Sequence, residues 1–266
     1  MKREYSARPL KVSDFNHEVD IIIPYHGQYE KVTRLVESIY RCTRSNFFNI
    51  CVVDDCSPNE TFIENMRRNI ARSAQRRGIR NNFKAIRGTK QRGFAGAARI
   101  GLEHTEAPYV CFINSDCVIE DSNWLRSMGE TLLSLRSEEV RMVAPMTNNA
   151  VGGHDSQQGE KTQMAAEYVV LDEEETHLTL YCFLCHRELF HRCGGFLKEY
   201  PYGFYEDVEF AWRMRKHGFK QAVCRNSWVH HDGMATIRSI WRRDPEIRKI
   251  MEEENRERCL ADLKGA

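Results

Sequence analysis

Ile50-Cys51-Val52-Val53-Asp54-Asp55 and Tyr109-Val110-Cys111-Phe112-Ile113-Asn114-Ser115-Asp116 are two short apolar runs that both end in carboxylates. Runs of about five β-branched, aromatic or small apolar residues are typical of strands buried on both faces of a parallel sheet. The carboxylates should therefore emerge at the carboxyl edge of the sheet, where open α/β sheets bind ligands. Because gathered carboxylates repel each other unless a cation lies between them, the two runs predict a divalent metal that carries a phosphate-bearing ligand.

Segments of strand and helix character alternate around these two runs. In the first half, strands are predicted at residues 19–24, 50–55, 83–87, 109–115 and 140–145. Helices are predicted between them, at residues 29–40, 61–77, 95–104 and 124–135. This alternation predicts an α/β fold with a mostly parallel central sheet and helices on both faces.

The alternation stops at residues 147–163, a polar stretch without apolar periodicity. A loop of this length in a compact domain is usually functional or disordered. Further elements are predicted beyond it: strands at 178–184 and 221–229, helices at 187–191 and 206–216, and a terminal helix that begins at Asp244-Pro245 and runs to about Lys264.

The composition is that of a globular domain, with 41% hydrophobic and 29% charged residues among 266. The amino terminus lacks an apolar segment, and no stretch approaches the ~18 apolar residues of a membrane span. We therefore predict a soluble, cytoplasmic protein without a signal peptide or membrane span. Most of the ten cysteines lie in or beside apolar runs, which predicts reduced core thiols.

Residues 65–102 contain eleven lysines and arginines and no acidic residue. Such a run predicts one face with a strong positive potential. It is either a solvated basic helix or a surface that attracts a polyanion or the phosphates of a ligand.

Several motifs occur together in one order. They are Ile21-Ile22-Ile23-Pro24, Val52-Val53-Asp54-Asp55-Cys56-Ser57, Gly93-Phe94-Ala95-Gly96-Ala97-Ala98-Arg99, Asn114-Ser115-Asp116, Gly194-Gly195-Phe196, Glu206-Asp207 and His230-His231. In this order, over about residues 18–236, the chain resembles the inverting family 2 of nucleotide-sugar glycosyltransferases.

The resemblance implies an A-type glycosyltransferase (GT-A) fold, in which a Rossmann-like nucleotide-binding half joins an acceptor-binding half. On this basis we divide the chain into four parts. They are an N-terminal extension (1–18), a nucleotide-sugar-binding half (19–145), an acceptor-binding and catalytic half (146–235) and a C-terminal helical extension (236–266).

Donor-binding residues follow from these motifs. Asp55 can accept a hydrogen bond from a nucleobase imino group, and the resemblance assigns it to a uracil ring; the alternative is a turn aspartate that caps the next helix. Asp54 belongs to the same motif, and Pro24 and Tyr25 can wall the base pocket. In relatives the segment around Gly93 lies near the sugar and diphosphate.

The amides at Gly93 and Gly96 can point at an anion, and Arg92 and Arg99 add positive charge. Glycines also permit close helix packing, which is the alternative.

Asp116 is the predicted metal ligand, because Mn²⁺ or Mg²⁺ on a diphosphate needs hard oxygen ligands. The usual first aspartate of this motif is replaced by Asn114, and Ser115 stands between the two positions. In relatives a late histidine completes the coordination, which implies His230 or His231 here. A histidine at such a position can instead pack or form a hydrogen bond.

Asp207 is the candidate general base, with Glu206 beside it. Inverting transfer needs a carboxylate that removes the proton of the acceptor hydroxyl while its oxygen attacks the anomeric carbon. The alternative is an acidic pair that stabilises the first turn of a helix.

These residues predict a metal-dependent inverting transferase that moves one sugar from a nucleoside diphosphate sugar, most simply a UDP-sugar. The acceptor would be a hydroxyl of a glycan, a lipid-linked or a macromolecular acceptor. The processive synthases of the family carry membrane spans and a Gln-x-x-Arg-Trp signature. Here the nearest tryptophan segment is Arg238-Ser239-Ile240-Trp241-Arg242, so we predict non-processive transfer.

Two alternatives stay open. The first is the same chemistry on a hydroxylated base of a nucleic acid (DNA glycosylation), attracted by the basic run 65–102. The second is an inactive nucleotide-binding or zinc-stabilised interaction module, with zinc held by Cys182, Cys185, His186, His191 and Cys193. A strand would place Cys182 and Cys185 on opposite faces, which argues against zinc. The oligomeric state stays open, because the apolar positions of the terminal helix fit its own domain as well as a second copy.

Overall fold

A central β-sheet organises the part of the chain that the computed structural model describes, namely residues 8–9, 14–44, 48–76, 83–173, 176–233, 241–242 and 244–265. The strands are β1 (Arg8–Pro9), β2 (Val19–Tyr25), β3 (Phe48–Asp54), β4 (Phe83–Arg87), β5 (Tyr109–Ile113), β6 (Cys117–Val118), β7 (Val140–Met146), β8 (Glu167–Leu171), β9 (Cys182–His186), β10 (Lys220–Trp228) and β11 (His230–His231). The helices are α1 (Tyr29–Cys42), α2 (Phe62–Arg76), α3 (Gly93–Glu103), α4 (Trp124–Ser134), α5 (Glu188–Arg192), α6 (Glu206–Lys216), α7 (Pro245–Lys249) and α8 (Asn255–Gly265).

Nine strands form the large sheet of the described residues, in the order β1-β8-β10-β7-β9-β5-β2-β3-β4. The neighbours β5, β2, β3 and β4 are all parallel, as the alternation predicts. The other side of the sheet is mixed, because β9 runs antiparallel between β5 and β7 while β10 is parallel to β7. The predicted α/β fold is therefore confirmed, and the strictly parallel part of the sheet is β5-β2-β3-β4.

Burial on both faces explains why β2, β3 and β5 are apolar throughout. Ile21 and Ile23 pack in one core with α1, α2 and α4, whereas Ile22 packs on the opposite face with α3. Because side chains alternate along a strand, a run without polar residues is what two helical layers require.

Strands β8, β9 and β11 of the second half differ from the predictions, and β11 was not predicted at all. The strand predicted at 178–184 is β9, which begins at Cys182, because the residues before it hydrogen-bond elsewhere. The amide of Leu178 donates to the Gln221 side chain (3.1 Å), and the Tyr181 carbonyl accepts from the amide of Asn114 (2.7 Å). Strand β8 was not predicted from the sequence.

The polar stretch 147–163 is ordered around Thr147. Its amide donates to the Gln157 carbonyl and its carbonyl accepts from the amide of Gly159, both at 2.8 Å. Two short 3₁₀ turns, Asp155–Gln157 and Lys161–Gln163, complete the loop.

The described residues 245–265 of the C-terminal extension are helical, as predicted. Asp244 caps α7 by accepting a hydrogen bond from the amide of Glu246 (3.0 Å). A π-helical turn, Ile250–Glu254, joins α7 to α8. No helix within the described ranges has the length and apolarity that a membrane crossing demands, and all ten cysteines are free thiols.

Candidate active site

A cavity of about 690 Å³ opens at the carboxyl ends of β2, β3 and β5 and extends to the start of α6. Many of the residues singled out in the sequence line it: Pro24, Tyr25, Asp55, Gly93, Asn114, Ser115, Asp116, Glu206, Asp207 and His231. Residues more than 180 positions apart in the chain thus share one cavity. The predicted residues that do not line it are Asp54, Arg92, Gly96, Arg99 and His230.

Asp54 and Asp55 have different surroundings although they are neighbours. Asp54 is fully buried and accepts a hydrogen bond from the amide of Ser57 (2.8 Å) and from the Arg87 guanidinium. The same guanidinium donates to the Ser57 carbonyl (2.8 Å). Asp54 therefore holds β3, β4 and the turn after β3 together, away from the cavity.

Asp55 faces the cavity and orders the loop that precedes α3. Its two carboxylate oxygens accept the amides of Arg92 and Gly93, each at 2.8 Å, and His26 hydrogen-bonds to its main-chain carbonyl at 2.8 Å. Burial raises the pKa of Asp55, and the two amides act in the opposite direction. Each carboxylate oxygen has a second lone pair, so Asp55 keeps the capacity to accept another hydrogen bond.

Arg92, Gly96 and Arg99 lie beside the cavity rather than in it. Both guanidinium groups form ion pairs with Glu199, Arg92 at 3.5 Å. A Cβ at Gly96 would lie 2.3 Å from Cβ of Arg92 and 3.1 Å from Cδ of Glu199. The glycine thus permits close approach, and the arginines join α3 to the chain before α6.

The short sheet of β6 and β11 places His231 directly opposite Cys117, next to Asp116. Nε2 of His231 lies 3.3 Å from Oδ1 of Asp116, and both residues are buried. Nδ1 of His231 lies 2.8 Å from the carbonyl of Asn149. Because a carbonyl only accepts, Nδ1 carries a proton and donates it there.

A cation fits between Asp116 and His231. When Nδ1 is the protonated nitrogen of a neutral ring, the Nε2 lone pair faces a carboxylate oxygen, and two acceptors at this distance need a proton or a metal ion between them. Burial lowers the pKa of His231, but the hydrogen bond and charge of Asp116 outweigh burial and raise it overall. A carboxylate with an imidazole suits a divalent ion such as Mn²⁺.

Cys117 completes the one group of three potential metal ligands found among the described residues. Burial raises the pKa of its thiol well above the usual range, and Mn²⁺ prefers oxygen and nitrogen ligands, so the thiol is the weakest of the three candidate ligands. The predicted zinc alternative is not supported by a corresponding group, since Cys182 and Cys185 point into opposite cores.

His230 is held outside the cavity. Its Nε2 lies 3.1 Å from Oδ1 of Asp232, which also forms an ion pair with Lys31 of α1. Adjacent strand residues point to opposite faces, so only one of the two histidines can face Asp116.

Glu206 and Asp207 form an acidic pair in the first turn of α6, at the far end of the cavity. Oδ1 of Asp207 accepts the amide of Val208 (2.9 Å), and Nε2 of His177 lies 4.0 Å from Oδ2. Oε2 of Glu206 is buried without a hydrogen-bond partner. Burial and then the charge of Asp207 raise the pKa of Glu206 to about 8, and burial raises the pKa of Asp207.

Burial thus raises the pKa of both carboxyl groups, so the pair can hold one proton near neutral pH while one carboxylate stays able to accept another. This division of roles is typical of two carboxyl groups whose surroundings separate their pKa values.

Several cavity residues were not identified from the sequence. They are His26, Gln91, Asn149, His177, Trp241 and Glu252. Asn149 lies in the polar stretch 147–163, whose length indicated a functional or disordered loop but no particular residue. His177 and Glu252 lie in no motif.

The basic run 65–102 is only partly described. Arg77 and Arg80, and the side chains of Arg72 and Arg76, lie outside the described residues. The nucleic-acid alternative that rests on them stays a prediction.

Comparisons with known proteins agree with the fold. The chain superposes on a crystal structure of GalNAc-T7 with UDP, GalNAc and Mn²⁺ with a TM-score of 0.63 and 16% identity, covering 82% of this chain and 44% of that one. A mannosyltransferase from Pyrobaculum calidifontis in complex with GDP-Man and Mn²⁺ gives 0.59 and 16%, with coverages of 84% and 60%. S. aureus TarS 1–349 gives 0.55 and 16%, with coverages of 92% and 70%.

The chain thus spans 44% and 60% of the first two structures, less than two thirds of each. No curated protein sequence matches it. The family model described as glycosyl transferase family 2 matches residues 20–194. This match runs from β2 to the end of α5 and covers well over half of the 266 residues. The chain therefore belongs to glycosyl transferase family 2.

Proposed function

We propose that this chain is a metal-dependent inverting glycosyltransferase that moves one sugar from a nucleoside diphosphate sugar, a UDP-sugar, to an acceptor hydroxyl. One observation supports the proposal most directly. A single cavity contains a base-side aspartate (Asp55), a cation site (Asp116 and His231) and a proton-accepting carboxylate (Asp207). An inactive module would have no need to keep all three in one cavity.

The donor would lie along the carboxyl edge of the parallel strands. Asp55 would accept a hydrogen bond from the imino group of the base, and Pro24 and Tyr25 would form the walls of the base pocket. Asn114 and Ser115 would lie along the diphosphate. Residues 19–145 would form this donor half, and residues 146–235 the half that binds the acceptor. Binding at this edge is the general behaviour of open α/β sheets.

Asp116 and His231 would hold a divalent ion, Mn²⁺ or Mg²⁺. When bound, the ion would neutralise the diphosphate and stabilise its departure. GalNAc-T7 and the Pyrobaculum mannosyltransferase have both been solved with Mn²⁺, which favours Mn²⁺ here.

Asp207 would take the proton of the acceptor hydroxyl. The freed oxygen would form a bond to the anomeric carbon while the bond from that carbon to the nucleoside diphosphate breaks on the opposite side. One displacement of this kind inverts the anomeric centre without a covalent intermediate. The acceptor would be a glycan, a lipid-linked or a macromolecular hydroxyl, and each encounter would add one sugar.

A donor assay tests the proposal. Purified protein is incubated with Mn²⁺ or Mg²⁺ and a panel of UDP- and GDP-sugars, and release of the nucleoside diphosphate is measured. We expect metal-dependent release from a UDP-sugar. Absence of release, together with absence of UDP binding in the presence of Mn²⁺, would contradict the proposal.

The pKa of Glu206 predicts how stability depends on pH. A free glutamate releases its proton near pH 4.5, whereas the folded protein keeps this proton up to about pH 8. Between these values the folded state binds more protons than the unfolded state, so the free energy of unfolding falls as pH rises. Glu206→Gln cannot ionise and should flatten this fall.

Urea unfolding at pH 5, 7 and 9 measures this effect. We expect Glu206→Gln to be more stable than the wild type at pH 9 and similar at pH 5. Glu246→Gln, at an exposed glutamate of α7, serves as the matched control and should follow the wild type. Parallel curves for the wild type and Glu206→Gln would show that Glu206 does not hold its proton.

A further inference from the structure

Four consecutive residues between α5 and α6 adopt left-handed backbone conformations. Their φ angles are 63° at Tyr202, 111° at Gly203, 76° at Phe204 and 70° at Tyr205. Three of them carry a Cβ and are aromatic, so this conformation is strained. Strain of this kind persists only where the surrounding structure imposes it, and it concentrates at functional sites.

This strained loop, residues 202–205, connects both ends of the cavity. Its backbone packs against Gly93, where a Cβ would lie only 3.3 Å from the carbonyl carbon of Tyr202. The amide of Gly93 is one of the two that bind Asp55. Glu206 and Asp207 follow the loop directly, so its shape sets the position of the acidic pair relative to the donor side.

Asn255 holds the loop from behind. Its Nδ2 group donates two hydrogen bonds, to the carbonyls of Pro201 (2.8 Å) and Gly203 (2.7 Å), and the residue is fully buried. The amide of Gly203 in turn donates to the Tyr200 carbonyl (3.0 Å). Both hydrogens of one side-chain amide are thus used on two carbonyls of the turn that leads into the strained loop.

The π-helical turn before α8 contributes a third hydrogen bond to this segment. The Tyr205 hydroxyl donates to the carbonyl of Glu252 within this turn (3.2 Å). Insertions of this type in helices are frequent at functional sites. One helical turn beyond Asn255, the buried Cys259 contacts the Tyr205 carbonyl, with Sγ at 4.0 Å.

We infer that Asn255 is a positioning residue of the active site, which holds residues 202–205 in their strained conformation and thereby fixes Asp207 against the donor. These contacts with residues 201–205 come from residues 252–259, which lie beyond the matched family region. The catalytic part of this inference rests on the proposed transferase function; the conformational part does not.

Hydrogen–deuterium exchange tests the conformational part. Asn255→Leu keeps a similar volume and removes both donors, and Asn255→Asp keeps the shape and leaves at most one donor. We expect amides 203–206 to exchange at least about tenfold faster in both variants, because the turn opens locally. If the leucine variant does not fold, Tyr205→Phe, which removes only the hydroxyl, should still raise exchange about threefold.

Asp262→Asn is the matched control on the same helix. Asp262 accepts a hydrogen bond from the Tyr200 hydroxyl (2.8 Å) and forms an ion pair with Lys198 (2.7 Å). It therefore connects α8 to residues that precede the strained loop. Its replacement should change exchange of amides 203–206 less than about twofold. Equal acceleration by Asp262→Asn and Asn255→Leu, or unchanged exchange in Asn255→Leu, would overturn the inference.

Kinetics test the positioning role. In Asn255→Leu we expect kcat to fall about tenfold while the affinity for UDP with Mn²⁺ changes less than about threefold, because Asp116 and His231 lie on other elements. A merely structural role would lower affinity and kcat together, and that outcome would remove the positioning role. If the wild type transfers no sugar, the proposed function fails, and the exchange measurement still decides whether Asn255 holds the loop.

Discussion

Replacing Asp207 with asparagine should lower the rate of sugar transfer by about 10²- to 10⁴-fold, the usual contribution of a general base. The amide has the same shape, and its oxygen can still accept the amide of Val208, so the first turn of α6 stays intact. An amide does not accept a proton at neutral pH. The loss should therefore appear in kcat, while the dissociation constant for UDP with Mn²⁺ stays unchanged.

Glu206→Gln is the matched control for this experiment. Glu206 keeps its proton to about pH 8, so the neutral glutamine resembles the group that is present at neutral pH. We expect this variant to stay within about threefold of the wild-type kcat at pH 7. If Asp207→Asn retained near wild-type transfer while Glu206→Gln lost it, the two carboxyl groups would have the opposite roles.

Local sequence patterns were sufficient to predict which residues lie at the carboxyl edge of the sheet. The apolar runs of β2, β3 and β5 predict two-sided burial, and that burial fixes where Asp55 and Asp116 emerge. The same alternation explains Asp54, which points away from the cavity to Arg87 on the neighbouring strand β4. Period-two alternation also requires that His230 and His231 diverge, although it does not reveal which of them faces Asp116.

Contacts between distant segments could not be predicted in this way. Arg92 and Arg99 are identified by their motif, but Glu199, about a hundred residues later, neutralises them. His177 approaches Asp207 from a segment without a motif. Asn255, at the start of α8, hydrogen-bonds to the strained loop from about fifty residues later in the chain. These arrangements depend on packing between elements, which periodicity and local motifs do not encode.

Replacing Asp116 or His231 with alanine should abolish the metal dependence of donor binding and lower transfer at least about a hundredfold. A bound metal contributes several kcal/mol to such reactions, and each 1.4 kcal/mol is about tenfold. Calorimetric titration of UDP with and without Mn²⁺ measures the binding directly. His230→Ala is the matched control, because His230 pairs with Asp232 outside the cavity.

The loss of metal-dependent binding in each alanine variant should be large because the protein offers few ligands at this site. Asn114 occupies the position of the usual first aspartate, so the group of potential ligands around Asp116 in the described residues has one carboxylate and one imidazole, with the buried Cys117 thiol beside them. Removing either Asp116 or His231 leaves one effective protein ligand, which is too few to hold Mn²⁺ before the donor arrives. Metal-dependent UDP binding that survived in His231→Ala and disappeared in His230→Ala would show that the ion is held on the other side of β11.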